Sequence, residues 1–396
     1  MKVTQKKNIA IIGNGGAAVH AVMAARSAGF TGQIDLISDS EGPAFNPMLA
    51  PYFLKGALTW DHCFPFGSNF YRTCDVTCRF NTTVDTLNIA EKSLQLSDKK
   101  KIHYDQCLIA TGASAVVPPV PGLRDSKKVF TLRTTESTLQ LQKAMQSARN
   151  VIVLGASLVG TKLAEILSKR KIKVTLLDIA TQILPMGAHP KTAEKIESYF
   201  RQKGIEVLSG CGLDGIEEVG NRLVCHLPHR IFDNVDFVAV CTGVKPNLQF
   251  LEEGQVATRQ ALLVDNYQRT SANSLYAAGD VCQGLNRQTG ESQWMGTWGN
   301  ACYQGRTAGY NMTGKTTSLP GALPQYVSPF FDWVYAQVGD INRQGCDIRT
   351  DESGSPDADG GWQLLVFKQE KLIGVNLINA MRNIGVLKKE IDPLLS

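Results

Sequence analysis

Asn8-Ile-Ala-Ile-Ile-Gly-Asn-Gly-Gly-Ala-Ala18 and Asn150-Val-Ile-Val-Leu-Gly-Ala-Ser-Leu-Val-Gly160 are the two stretches on which the fold of this chain turns. Each begins as a short apolar run of strand length, breaks into a glycine-rich turn, and continues with helical spacing. Each is then followed by a second apolar run that ends in an acid, Ile34 to Asp39 and Lys173 to Asp178. That order reads as a βαβ unit built twice. Gly13, Gly15, Gly16 and Ala17 form the first turn; Gly155, Ser157, Leu158, Val159 and Gly160 form the second. Turn glycines let backbone approach a pyrophosphate, and a helix N-terminus favours its negative charge. A chain that binds two dinucleotides most simply moves electrons between them.

The acids after each turn refine the reading. Asp39 can accept hydrogen bonds from an adenosine ribose, with Ser38, one residue nearer, as the other candidate. Asp178 can accept from both hydroxyls of a ribose and repels a 2′-phosphate. No arginine follows it in Ile179-Ala-Thr-Gln182, so the second site is expected to prefer NADH to NADPH. The plainer alternative for Asp178 is a solvated strand-end acid.

Composition narrows the class. The 396 residues are enough for several domains, with 43% hydrophobic and 19% charged residues as in ordinary globular chains. The net charge of +5 is spread out, and its densest run, Lys99-Lys100-Lys101, reads as a hairpin tip. This argues against a nucleic-acid partner and suits an acidic redox partner. Ten scattered cysteines include no CxxC, which sets aside zinc ribbons and thioredoxin-like chemistry, and no metal site is expected. Buried free thiols in a reducing cytoplasm are expected. Lys2, Lys6 and Lys7 before Ile9 to Ile12 imitate a signal peptide, but Gly13 breaks the apolar run. No run reaches the length of a membrane span. Pro118-Pro-Val-Pro-Gly122 reads as a stiff linker, and the acidic segment 352–361 as a mobile loop without chemistry.

Three further motifs follow in order: Ala110-Thr111-Gly112, Thr242-Gly243-Val-Lys-Pro-Asn247 and Tyr276-Ala-Ala-Gly279-Asp280. With the two glycine turns, they make the chain resemble the FAD-dependent pyridine nucleotide-disulfide oxidoreductase superfamily over about residues 8–380. The resemblance implies an α/β fold with two Rossmann-like, glutathione-reductase-like domains and a small C-terminal α+β interface domain. The FAD domain is expected at 1–121 and 246–320, the NADH domain at 122–245 and the interface domain at 321–396. It implies FAD in the first site, with Asp280 at the ribityl–pyrophosphate region, and a homodimer through the C-terminal domain.

The departures are equally informative. No CxxxxC pair follows the first βαβ unit, and Met48 stands where single-cysteine relatives carry their thiol, in Phe45-Asn-Pro-Met48-Leu-Ala-Pro-Tyr52. A thioether forms no thiolate. Cys74 and Cys78 are a tempting redox pair, but they fall where the family has a helix end and the next strand. The resemblance therefore narrows to the branches of bacterial ferredoxin and rubredoxin reductases, apoptosis-inducing factor and NADH oxidases. Gly296-Thr-Trp298-Gly-Asn-Ala-Cys-Tyr-Gln304-Gly305 is similar to a ferredoxin-reductase segment and implies Trp298 at the flavin; a plain core tryptophan is the alternative. Tyr52 and Lys162 replace that branch's lysine and glutamate. Lys162 is expected either to stabilise reduced flavin or to be an ordinary solvent-facing lysine. The implied reaction is hydride transfer from NADH to FAD and onward transfer to a ferredoxin-like protein or partner subunit. NADH oxidase or peroxide reductase activity and NADH sensing stay open.

Overall fold

The computed structural model describes residues 7–350, 357, 361–392 and 394. Lys2 and Lys6, and most of the acidic segment 352–361, lie outside the described residues. The chain forms two compact units: residues 1–49, 58–114 and 245–322, and residues 50–57, 115–244 and 323–396.

The first unit is built on a five-stranded parallel sheet in the order Leu275–Ala277, Gln106–Ile109, Asn8–Ile12, Gln33–Ile37, Thr77–Arg79. Strand alternation divides its core. Ile9, Ile11, Ile34 and Leu36 face one side, where the helix Gly16–Ser27 packs; Ala10, Ile12 and Ile37 face the other. The helix Trp298–Met312 crosses Gly16–Ser27 at close range. A side chain at Gly305 would start 2.0 Å from the Ala17 carbonyl oxygen, and one at Gly309 2.3 Å from that of Ala21. The opposite face is covered by an antiparallel meander, Val84–Asn88, Ser93–Leu96 and Lys101–His103.

The second unit repeats the plan with parallel strands Glu206–Ser209, Lys173–Asp178, Asn150–Leu154, Phe237–Val240 and Val129–Thr131. Its C-terminal part is a five-stranded antiparallel sheet, Gln325–Phe330, Trp333–Gly339, Lys371–Ile378, Trp362–Lys368 and Asp347–Thr350, with the helix Ile384–Ile391. Both expected βαβ units and the α+β end region are thus present.

The unit boundaries differ from those expected at 121/122 and 320/321. The proline segment does not dangle: Val116 N–H donates to Gly243 O, Ile216 N–H to Pro121 O, and Leu123 is fully buried in the second unit. The regions 122–245 and 321–396, expected as separate domains, share one core that includes Leu163, Phe200, Phe330, Tyr335 and Trp362. The Tyr199 ring stacks on Trp333 at 3.7 Å and 3°. The short helix Ala50–Lys55 also belongs here, held by buried Leu54, whose carbonyl accepts from Arg170 at 2.6 Å. Among the described residues, no helix is long and apolar enough to cross a membrane.

Candidate dinucleotide sites

At the first turn Gly13 has φ +111, and a side chain there would meet Ala110 O at 2.2 Å, so only glycine fits. A side chain at Gly15 would meet nothing within 4 Å, so the backbone there is open. The helix Gly16–Ser27 starts with no side-chain cap and no acid in its first turn. The helix Leu158–Lys169 starts in the same way, because Ser157 Oγ donates instead to Cys241 O at 3.0 Å. By contrast, Thr134, His189 and Thr297 each cap their helices with a side-chain acceptor. A helix N-terminus with unsatisfied backbone amides after a glycine turn can receive a pyrophosphate. The residues present at both turns are compatible with a dinucleotide.

Around the first turn, Asp39 is exposed at its strand end, whereas Ser38 is buried with its hydroxyl 2.8 Å from that of Ser40. Exposure favours Asp39 as the ribose acceptor. Thr111 and Gly112 are knotted to the Pro-Asn motif: Thr111 Oγ1 donates to Asn247 O at 2.8 Å, Asn247 Nδ2 to Thr111 O at 3.0 Å, and Asn247 N–H to Gly112 O. Gly279 donates its N–H to Gln304 Oε1 at 2.8 Å, and Asp280 O accepts from Trp294 Nε1 at 2.9 Å. The Asp280 carboxylate faces Gly296, where a side chain would start 3.2 Å from Oδ1. Trp298, half-buried, lies against the turn itself. Its ring and Cys302 Sγ come within 3.1 and 3.2 Å of where a Gly16 side chain would begin. Trp298 thus packs on the first residue of the helix Gly16–Ser27.

Two residues of this site went unassigned in the sequence. Asn14 donates to Gly42 O at 2.8 Å and accepts from the Tyr71 hydroxyl at 2.7 Å, fixing the loop that leads to Phe45 and Met48. Burial pushes the Tyr71 hydroxyl up to about 12, so it stays a donor. Gln304 lay inside a quoted motif, but only packing reveals its partner. Met48 is exposed. The ten cysteines are free. Burial raises the thiols of Cys63 and Cys74, pushes those of Cys78 and Cys302 up to about 11 and those of Cys225 and Cys241 up to about 12, and raises Cys107 and Cys282 further.

At the second turn Gly155 has φ +105 against Cys241 O, and a side chain at Gly160 would start 1.8 Å from Gly155 O. Gly243 has φ +110 and open space before it. Leu158 and Val159 open the helix, Val159 exposed. Asp178 Oδ2 accepts from Ala156 N–H at 2.6 Å and Oδ1 from Ala180 N–H at 2.8 Å. These amides aim the carboxylate and leave each oxygen a lone pair for a ribose hydroxyl. Asp178 is thus a built part of the turn.

Lys162 is only 6% exposed, so it is not the solvent-facing lysine of the second alternative. Its ammonium is held by Glu165 at 2.7 Å and by Pro329 O at 2.6 Å. Tyr52 is 39% exposed on the helix Ala50–Lys55.

The profile of the pyridine nucleotide-disulphide oxidoreductase family matches residues 7–305. The chain belongs to this family. It is an oxidoreductase that works with FAD and NADH. It is 29% identical over 331 residues to the epsilon subunit of an NADH-dependent phenylglyoxylate dehydrogenase from Aromatoleum evansii, covering 83% of this chain and 78% of that one. It is 28% identical over 333 residues to an NADH oxidase from Methanocaldococcus jannaschii, covering 81% and 73%. Among solved structures it superposes on putidaredoxin reductase in a covalent complex with putidaredoxin, with a TM-score of 0.89 at 21% identity, over 98% of this chain and 93% of that one.

Proposed function

We propose that this oxidoreductase takes hydride from NADH at the second turn and delivers the electrons to a separate redox protein or partner subunit. The observation that carries the reading is the state of its sulfur. Relatives that reduce disulfides use a thiolate, and here Met48 stands at that position while eight thiols are raised above their ordinary value. FAD held at the first turn would supply the hydride-accepting chemistry and the release of electrons singly or in pairs. The helix end at Gly15 and Gly16 would hold its pyrophosphate, Asp39 its ribose and Asp280 its ribityl end. Trp298, against Gly16, would limit water at that turn, and Tyr52 would take the place of the lysine that the ferredoxin-reductase branch carries.

A relative that is the subunit of a larger NADH-dependent dehydrogenase favours a partner subunit as acceptor. The NADH oxidase relative supports a second reading, in which dioxygen takes the electrons. Ten free thiols suit a reducing cytoplasm, and the C-terminal sheet is the surface proposed for a homodimer, testable by light scattering. The decisive experiment is an anaerobic NADH titration of the flavin-loaded protein, then turnover with ferredoxin, rubredoxin, a quinone, a disulfide and oxygen. Flavin bleaching with fast turnover on an iron–sulfur protein is expected. Turnover confined to the disulfide would overturn the proposal, and turnover confined to oxygen would establish the second reading.

A further inference from the structure

Lys162 and Glu165 occupy successive turns of the helix Leu158–Lys169, with side chains 8% and 1% exposed. The Lys162 ammonium donates to Glu165 Oε2 and to Pro329 O. The other Glu165 oxygen accepts from Lys169 Nζ at 2.8 Å and from the Phe331 amide at 3.0 Å. Pro329 lies near the end of the hairpin's first strand, and Phe331 is one of the two turn residues between Phe330 and its partner Trp333. Phe331 holds φ +53, a conformation that bulky residues rarely adopt. The Lys169 ammonium also lies 5.3 Å over the Phe331 ring, and Lys203 pairs with Asp332 at 2.7 Å. The helix that opens at the NADH turn is therefore fastened, a turn further on, to a strained hairpin tip.

A buried ion pair is a weak source of net stability, because desolvation opposes the attraction. Its hydrogen bonds are directional, however. Two lysines and one carboxylate fix how far this helix is rotated and where it stops along its axis, which apolar packing alone leaves freer to slide. The backbone N–H groups that would receive the pyrophosphate lie at residues 157–160 of the same rigid element.

We infer that Lys162 is a positioning residue for NADH: with Glu165 it fastens the nucleotide-binding helix to the hairpin turn 329–333, rather than touching the nicotinamide. The inference rests on NADH binding at the second turn. It is tested by anaerobic stopped-flow reduction of the flavin-loaded enzyme, comparing Lys162→Met, Lys162→Arg and Glu165→Gln. Lys162→Met should weaken NADH binding about tenfold, within the range for residues that act through a neighbouring element. The limiting reduction rate at saturating NADH and the flavin potential should not move. Lys162→Arg, which keeps the donors, should recover most of the affinity, and Glu165→Gln should show the same split. If Lys162→Met does not fold, Lys169→Met loosens the same clamp from its more exposed rim and should give a smaller loss. Unchanged NADH affinity in Lys162→Met and Lys169→Met would overturn the inference. So would a slowed limiting rate with a shifted potential at unchanged affinity. Amide hydrogen exchange at 157–161 without nucleotide should quicken in Lys162→Met. That reads the clamp even if the wild-type enzyme proves not to take NADH.

Discussion

Asp178 shows how one carboxylate can be set for a task. Two backbone amides orient it, and on the proposed reading its remaining lone pairs would meet a ribose, where a 2′-phosphate would bring like charge into contact. The wild-type enzyme should prefer NADH over NADPH, and Asp178→Ala should narrow that preference by about tenfold, ~1.4 kcal/mol. Comparing kcat/KM for the two nucleotides checks it; equal values in the wild type would remove the role. The thiols make an opposite statement. With Cys78 and Cys302 pushed up to about 11 and Cys225 and Cys241 to about 12, those groups are protonated at neutral pH and poor nucleophiles. Treatment with iodoacetamide at pH 7 should leave NADH-to-ferricyanide activity nearly intact. Loss of that activity with FAD retained would reveal a working thiol.

At the level of elements, the FAD-side helices meet through glycine. A methyl group at Gly305 would sit 2.0 Å from a backbone oxygen that cannot step aside, so the helices Gly16–Ser27 and Trp298–Met312 would have to separate. Gly305→Val should cost roughly 3 kcal/mol or more, at the upper end for overpacking, and should lower the flavin content of purified protein. Gly299→Ala, on the same helix but with open space around it, should leave the melting temperature almost unchanged. Thermal unfolding with flavin quantification compares them. The glycines of Gln304-Gly305 and Gly309 are plain in the sequence. Their reason is not, because a helix-facing glycine and a solvent-facing one look alike until the partner helix is in place.

Across the whole molecule, the two units carry buried carboxylates that titrate in opposite senses. In the first unit, burial raises Asp35, only partly offset by Arg79 at 3.7 Å. A raised folded pKa adds stability below the unfolded value near 3.8, and this is lost as pH rises through the folded value. In the second unit, burial would raise Glu165 too, but Lys162 and Lys169 together outweigh it and hold the carboxyl low. That contribution is present above the unfolded value near 4.5 and is lost as pH falls through the folded one. Acid should therefore loosen the second unit first. Glu165→Gln should cost roughly 3–5 kcal/mol at pH 7, as for breaking a buried pair, and much less at pH 3. Asp35→Asn should be near neutral or stabilising at pH 7. Urea unfolding at both pH values, followed by hydrogen exchange in each unit, checks the signs.

The local rules of the chain sufficed for what is local. Apolar runs of strand length and turn glycines that need positive φ are written within about thirty residues, so both βαβ units and their glycine turns could be read directly. The C-terminal sheet was legible too, through its short aromatic strands. What joins distant segments was not. That Pro118 to Gly122 packs as part of the second unit depends on Gly243 and Ile216, far along the chain. That Gln304 serves Gly279, and that Asn14 serves Gly42 and Tyr71, depends on side chains meeting across the fold. Lys162 is the sharpest case. Its i,i+3 partner Glu165 was visible in the sequence, but a surface pair and a buried clamp have the same spacing. Only the tertiary structure brings Pro329 O to Lys162 and the Phe331 amide to Glu165, and the proposed clamp on the second glycine turn depends on that meeting.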